Sequence, residues 1–315
     1  MSKIAFVFPG QGSQYVGMGK ELAGKYREAA EAFAEADRVL GFPLTELCWQ
    51  GPEEELKITY NTQPALLTAS VACLRVLSAH GVTADYVAGH SLGEYSALVA
   101  AGALDFPEAL RLVRFRGEAM TKAVPAGEGT MAAVLGMTPE QIRELCAQAG
   151  AQGLGQVEPA NFNCPGQVVI AGHTPAVEKA VEMAKGLGAK RAMLLQVSGP
   201  FHSSLLAPAK EAMAERLKNA EVKDARIPVV ANVSAKIINS REEIVAALTD
   251  QVNSPVLWED SVKTLIGAGV DTFVEVGPGR VLSGLIKKIA KEAKILNVED
   301  LASLENSLAL LKECD

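Results

Sequence analysis

The chain has 315 residues, 49% of them hydrophobic and 21% charged, and a net charge of −7. That length supports a sizeable core, in one large domain with an insertion or in two domains, and the composition excludes a disordered chain. The acidic balance argues against a general nucleic-acid binder, and docking to an acidic partner would need a local basic patch.

The first residues, MSKIAFVFPG, hold one lysine and a very short apolar run. They lack the apolar region and cleavage site of a signal peptide. Charge or Gly/Pro interrupts every apolar stretch before it could span a bilayer. A cytoplasmic protein with no membrane association is expected. Residues 4–8 read as a short strand, followed by the Gly-rich PGQGSQ. Helical patterns follow near 20–40 and 63–80. Residues 86–88 lead into a Gly-x-Ser-x-Gly turn, and 92–102 and 106–123 look helical. Strands alternating with helices indicate an α/β fold with a largely parallel sheet.

Residues 129–197 carry a different pattern. TMAAVLG reads as a strand, and TPEQIRELCAQAG as a capped helix. VEPANFN and QVVIAG read as strands joined by a Pro-Gly turn. TPAVEKAVEMAKGLG repeats the capped helix and RAMLLQV closes as a strand. That βαββαβ order is ferredoxin-like. We place this insert at 128–197, with 1–127 and 198–315 forming the core. The α/β pattern resumes with IPVVANV, DTFVEVG and KILNV as strands.

The five cysteines, Cys48, Cys73, Cys146, Cys164 and Cys314, lack paired or CxxC spacing. They read as reduced thiols, not a disulfide frame or zinc site. No metal is expected, and Cys164 reads as a small side chain in a loop.

Ser91, in VAGHSLGEYSA, sits where a strand-to-helix turn would expose its hydroxyl for attack on a carbonyl. Such a serine needs a base. His80 and His173 fall at helix ends, and His90 reads as packing beneath the turn. His202, in QVSGPFHSS, follows a strand end, where sites gather in open α/β sheets. Position alone leaves open whether it is the base or an incidental loop histidine. An oxyanion hole needs backbone donors. Leu92 supplies one at the helix start, and Gln11 in PGQGSQ is a candidate for the other. The alternative reading of PGQGSQ, a dinucleotide-binding loop, lacks the third glycine. Arg116, with Arg111 and Arg114 for neighbours, reads from residue types alone as part of a solvated helix face.

Seven stretches then occur in order across almost the whole chain: FVFPGQGSQ, GHSLGE, FRGEAM, NFNCPGQVVIAG, GPFHS, NSPVLW and VEVGPG. Together they resemble the malonyl-CoA:acyl carrier protein transacylases of type II fatty acid synthesis and, more broadly, the acyltransferase domains of polyketide synthases. The resemblance implies an α/β-hydrolase-like core with a ferredoxin-like insert. It implies Ser91 as the acylated nucleophile, His202 as its base and Gln11 and Leu92 as oxyanion donors. Gln251 would orient the histidine through its backbone carbonyl, in place of a triad acid. Arg116 becomes the clamp on the malonyl carboxylate, and Asn161 and Asn163 belong to an asparagine loop beside the site. Phe201 and Leu92 stand where polyketide acyltransferases differ by extender unit, and both match malonyl.

The implied substrates are malonyl-CoA and phosphopantetheinylated acyl carrier protein, with no permanently bound cofactor. The carrier is acidic, and candidate basic runs are Lys287, Lys288, Lys291 and Lys294, and the pair Lys190 and Arg191. A monomer serving fatty acid synthesis is expected, without fused domains. A serine esterase or thioesterase is the competing enzyme class, and a non-catalytic module that keeps only the fold is the other alternative.

Overall fold

The computed structural model describes residues 2–312; Cys314 lies outside them. The strands are β1 (Lys3–Phe8), β2 (Tyr86–Gly89), β3 (Gly129–Leu135), β4 (Val157–Cys164), β5 (Gln167–His173), β6 (Arg191–Leu194), β7 (Val229–Val230), β8 (Ile237–Ile238), β9 (Val270–Val276) and β10 (Lys294–Val298). They form a six-stranded sheet of order β10-β9-β1-β2-β7-β8 and a four-stranded sheet of order β4-β5-β3-β6.

The large sheet is parallel except for β8, which pairs antiparallel with β7. Its strands alternate between two buried faces, as period-two geometry requires. Phe6, Phe8, Val87 and Val274 join one apolar cluster, while Ala5, Val7, Ala88 and Phe273 join another. The small sheet is antiparallel and carries the expected βαββαβ order. Its far face has a separate cluster under the helices Pro139–Gly150 and Thr174–Gly186, with Ile142, Leu145, Ile170 and Val177 at its centre. The first of these helices opens on a capping box between Thr138 and Gln141, which satisfies two otherwise orphaned amide donors.

Several elements differ from their expected bounds, among them the pattern near 20–40, which is two helices, Lys20–Lys25 and Arg27–Leu40. The helix expected near 63–80 spans Thr59–Ala79, with Pro64 inside it. A proline there removes the N–H that would bond Tyr60 O, and Arg114 Nη1 donates to that freed carbonyl at 3.2 Å. RAMLLQV stays in the sheet only as far as Leu194. IPVVANV contributes only Val229–Val230, because the next residues leave the sheet toward the site.

Backbone bonds through Val256, on the segment after the helix Arg241–Gln251, tie β4 to the core. Phe162 N–H donates to Val256 O at 2.9 Å, and Val256 N–H to Ala160 O at 2.9 Å. A cleft of about 240 Å³ opens beside this junction, at the carboxyl ends of β1 and β2. Among the described residues, no helix is long and apolar enough to cross a membrane.

Candidate active site

Ser91 stands between β2 and the helix Gly93–Ala100 with φ of 51°. That left-handed conformation is costly for a residue with a side chain and marks a turn held by its surroundings. The flanking glycines explain the motif. A Cβ on Gly89 would lie 1.9 Å from Gly93 C and O, and one on Gly93 would lie 2.0 Å from Phe8 O. Only bare backbone lets helix and strands approach so closely. Asn232, just beyond β7, clamps the turn from the next strand. Its Oδ1 accepts from Ser91 N–H at 2.7 Å, and its Nδ2 donates to Gly89 O at 2.6 Å.

His202 also has a positive φ, 59°. Its Nδ1 lies 2.9 Å from Gln251 O and 3.2 Å from Ser254 O. Both neighbours are carbonyl acceptors, so Nδ1 carries the proton and Nε2 presents its lone pair. Nε2 faces Ser91 Oγ at 2.6 Å. Burial, reinforced by the charges of Arg116 and His90, pushes the imidazole down to about 3. It is therefore neutral at neutral pH, the state a base requires.

Arg116 reaches the same hydroxyl from the helix Phe106–Ala123. It is 1% exposed, so the solvated-face reading from residue types alone is wrong for this arginine. Gly117 leaves no room for a side chain, since a Cβ would meet Tyr60 Cα at 2.5 Å. The resulting close helix approach sets Gln63 against Arg116, whose Nη1 donates to Gln63 Oε1 at 2.8 Å. Nη2 donates to Ser91 Oγ at 3.2 Å and to Gln251 Oε1 at 3.0 Å. Nε is buried with no hydrogen-bond partner among the described residues. A buried guanidinium with a spare donor beside a nucleophile is a ready receptor for a carboxylate. Arg111 is a surface residue paired with Glu108, whereas Arg114 is half-buried, pairing with Glu118 and donating through Nη1 to Tyr60 O and Asn61 Oδ1.

Gln251 works at both ends. Its backbone carbonyl takes the imidazole N–H, while its side-chain Nε2 donates to Ser91 O at 2.9 Å and Glu94 Oε2 at 2.7 Å. Residue types alone pointed to neither that side-chain role nor to Glu94, Asn232, Gln63 and Ser254. Gln11, Leu92, Asn161, Asn163 and Phe201 all line the cleft with Ser91 and His202. Gln11 follows Gly10, where a Cβ would lie 2.5 Å from His90 O, so the loop after β1 lies directly on the turn. His90 packs beneath that turn as expected. Its Nε2 and Asn163 Oδ1 are 2.9 Å apart, and its ring is 5.7 Å from that of Trp258. His80 ends the helix Thr59–Ala79 and His173 precedes Thr174–Gly186, and neither lines the cleft.

A hydroxyl on a strained strand-to-helix turn, bonded to a neutral histidine in a cleft of an α/β fold, defines a protein of nucleophilic acyl chemistry. Residues 5–306 match the model of the acyl transferase domain, and the chain belongs to that family. It is 52% identical over 313 residues to the malonyl CoA-acyl carrier protein transacylase of Bacillus subtilis, covering 99% of this chain and 98% of that one. The transacylase of the same name from Escherichia coli O157:H7 is 50% identical over 92% of this chain and 93% of its own length. Among solved structures, the malonyl CoA-acyl carrier protein transacylase of Clostridium perfringens superposes with a TM-score of 0.95 at 45% identity, over 99% of this chain and 98% of that one. A malonyl-transacylase in complex with a holo type II PKS acyl-carrier protein also gives 0.95, at 48% identity over 98% and 99% of the two chains.

Proposed function

We propose that the chain transfers the malonyl group of malonyl-CoA to the phosphopantetheine thiol of acyl carrier protein through an ester on Ser91. The observation that carries this reading is the buried Arg116 guanidinium, 3.2 Å from Ser91 Oγ in one cleft. Malonyl has a carboxylate at one end and a thioester at the other. Clamping the first over Arg116 places the second over Ser91, and such positioning contributes strongly to rate.

In the first half-reaction Ser91 gives its proton to His202 Nε2 as Oγ bonds to the thioester carbon. The N–H groups of Leu92 and Gln11 take the oxyanion. The carbon–sulfur bond breaks, and the CoA sulfur leaves with the proton returned by His202. In the second, the carrier's thiol gives His202 its proton and attacks the ester, and Ser91 Oγ departs with that proton. Gln251 O holds the imidazolium through Nδ1 in both directions. Apolar walls from Met131, Val169, Leu195 and Leu285 line the approach. They favour a thiol acceptor over water. Every group invoked belongs to one chain, so a monomer suffices, and 128–197 serves as the inserted wall of a core formed by 1–127 and 198–315.

The rim suits an acidic carrier. Lys287 and Lys288 are exposed on the helix Val281–Ile289, whose Val281, Leu282 and Leu285 line the cleft mouth. Lys288 Nζ donates to Gln167 Oε1 at 3.3 Å. Leu135 pairs with Gln167 on one side and Arg191 on the other, so the two basic runs flank one end of the small sheet. Labelled malonyl-CoA with holo carrier protein tests the reading. Label should move to the carrier. Release of free malonate at the same rate without an acceptor would make the protein a hydrolase.

A further inference from the structure

Glu94 has no part in the steps above, yet it lies at their centre. It is 1% exposed, three residues beyond Ser91. Its Oε2 accepts from Gln251 Nε2 at 2.7 Å and from Asn232 N–H at 3.2 Å. The same Gln251 amide turns Oε1 to Arg116. Reversed end for end, that amide would aim N–H groups at the guanidinium and its oxygen at the carboxylate, and both contacts would repel. Glu94 therefore decides which end of Gln251 meets Arg116. It also attracts Arg116 directly through charge. Asn232, bonded to the same carboxylate, holds the Ser91 turn.

We propose that Glu94 is a positioning residue that orients Arg116 through Gln251 and takes up a proton from solvent when a malonyl carboxylate seats on that guanidinium. This inference rests on the role given to Arg116 above. Charge must balance where Glu94 and Arg116 are both buried. With Glu94 ionised, the Glu94–Arg116 pair is neutral, and an arriving carboxylate leaves a surplus negative charge. With Glu94 protonated, Arg116 and the carboxylate balance each other. Protonated or not, Oε2 still accepts from Gln251, so the amide keeps its direction.

Burial pushes the Glu94 carboxyl up to about 7, opposed by the Gln251 and Asn232 hydrogen bonds and the Arg116 charge. A second negative charge on Arg116 raises it further. Malonyl binding is then accompanied by proton uptake, and malonyl affinity falls as pH rises above about 7. An acetyl group brings no charge and shows no such fall.

Three titratable neighbours of Glu94 stay outside this window. Tyr95, on the same helix, is pushed up to about 12 by burial, and His202 is down to about 3. His90, on the turn before this helix, is lowered by burial. Four further elements pack on this helix: β1, β2 and the helices Thr59–Ala79 and Phe106–Ala123. β1 carries Lys3, which donates to Ala268 O and covers the Tyr86 ring of β2. The helix Thr59–Ala79 carries Arg75, paired with Glu35; Tyr60, beneath Arg114; and Cys73, pushed up to about 12. The helix Phe106–Ala123 faces Glu94 with Arg116 itself.

The test is the malonyl-CoA concentration that half-saturates Ser91 acylation, from pH 6 to 9, divided by the inhibition constant of acetyl-CoA as competitor. The division cancels titration of the shared CoA phosphates. In the unmodified protein the ratio should rise above about pH 7, by up to about tenfold per pH unit at the one-proton limit. Glu94→Gln keeps an oxygen for Gln251 and cannot ionise, so its ratio should be flat. A flat ratio in the unmodified protein, or an unchanged slope in Glu94→Gln, would overturn the proposal. So would a folded Glu94→Gln that loses affinity for both thioesters equally, since that outcome marks a structural role. If Glu94→Gln does not fold, the slope in the unmodified protein decides alone. If malonyl-CoA acylates Ser91 at no pH, the transferase reading fails first, and that result is distinct from a flat ratio.

Discussion

The two sheets meet at one cleft and furnish it differently. From the parallel sheet, its helices and the loop after β6 come Ser91, Arg116, His202 and Gln251, a buried polar network joined by mutual hydrogen bonds. From the antiparallel sheet come Met131 and Val169, which offer shape, with Asn161 and Asn163 at the junction. Buried polar groups are costly unless paired, so the first side tolerates almost no change. An apolar wall loses only contact area and volume when altered. Chemistry and selectivity should therefore separate by size of effect.

The largest effects belong to the polar side. Ser91→Ala or His202→Ala should remove acylation by roughly 10⁶-fold, as groups acting as a unit do. A residual rate near the unmodified one, followed by mass spectrometry, would place the nucleophile elsewhere. Arg116→Ala should cost malonyl transfer about 3–5 kcal/mol and spare acetyl transfer, because it strands a desolvated carboxylate. Paired kcat/KM values for the two thioesters check this, and equal losses would contradict the clamp.

The wall should act through selectivity. Phe201, in the loop after β6 beside His202, adds its ring to the apolar lining of the cleft. With Ser91 and Arg116 holding both ends of malonyl, an α-methyl must fall against it. Phe201→Ser should raise methylmalonyl transfer relative to malonyl, within about 1–3 kcal/mol for a single methyl. An unmoved ratio in competition assays would reduce Phe201 to packing. The smallest effect sits outside both walls. Reversing Lys287 and Lys288 to Glu should slow transfer to the acidic carrier, most at low salt, and leave acylation by malonyl-CoA intact. Equal loss in both half-reactions would point to misfolding.

The same division explains what was legible in the amino-acid order. The Ser91 turn was readable because its cause is local: two glycines and a serine on consecutive backbone, against one strand. The βαββαβ order was readable through local caps and turns such as Thr138–Gln141 and Pro165–Gly166. Arg116 was misplaced from residue types alone because Arg111 and Arg114 drew it to the surface. Yet Ala109, Leu112, Val113, Arg116 and Met120 share the buried stripe at helical spacing. An arginine on that stripe is the signal that could have been used. Glu94, Asn232 and the Gln251 side chain left no such trace. Their bonds join residues 138 to 160 positions apart, and no periodicity encodes contacts of that range.

The central claim is that Ser91 attacks a thioester whose other end is held by Arg116. Incubation with malonyl-CoA alone, followed by intact and peptide mass spectrometry, tests it most directly, because the two half-reactions are separable. The account predicts one malonyl ester, on Ser91, that disappears when holo carrier protein is added. A malonyl adduct on any other residue, or none at all, would contradict it.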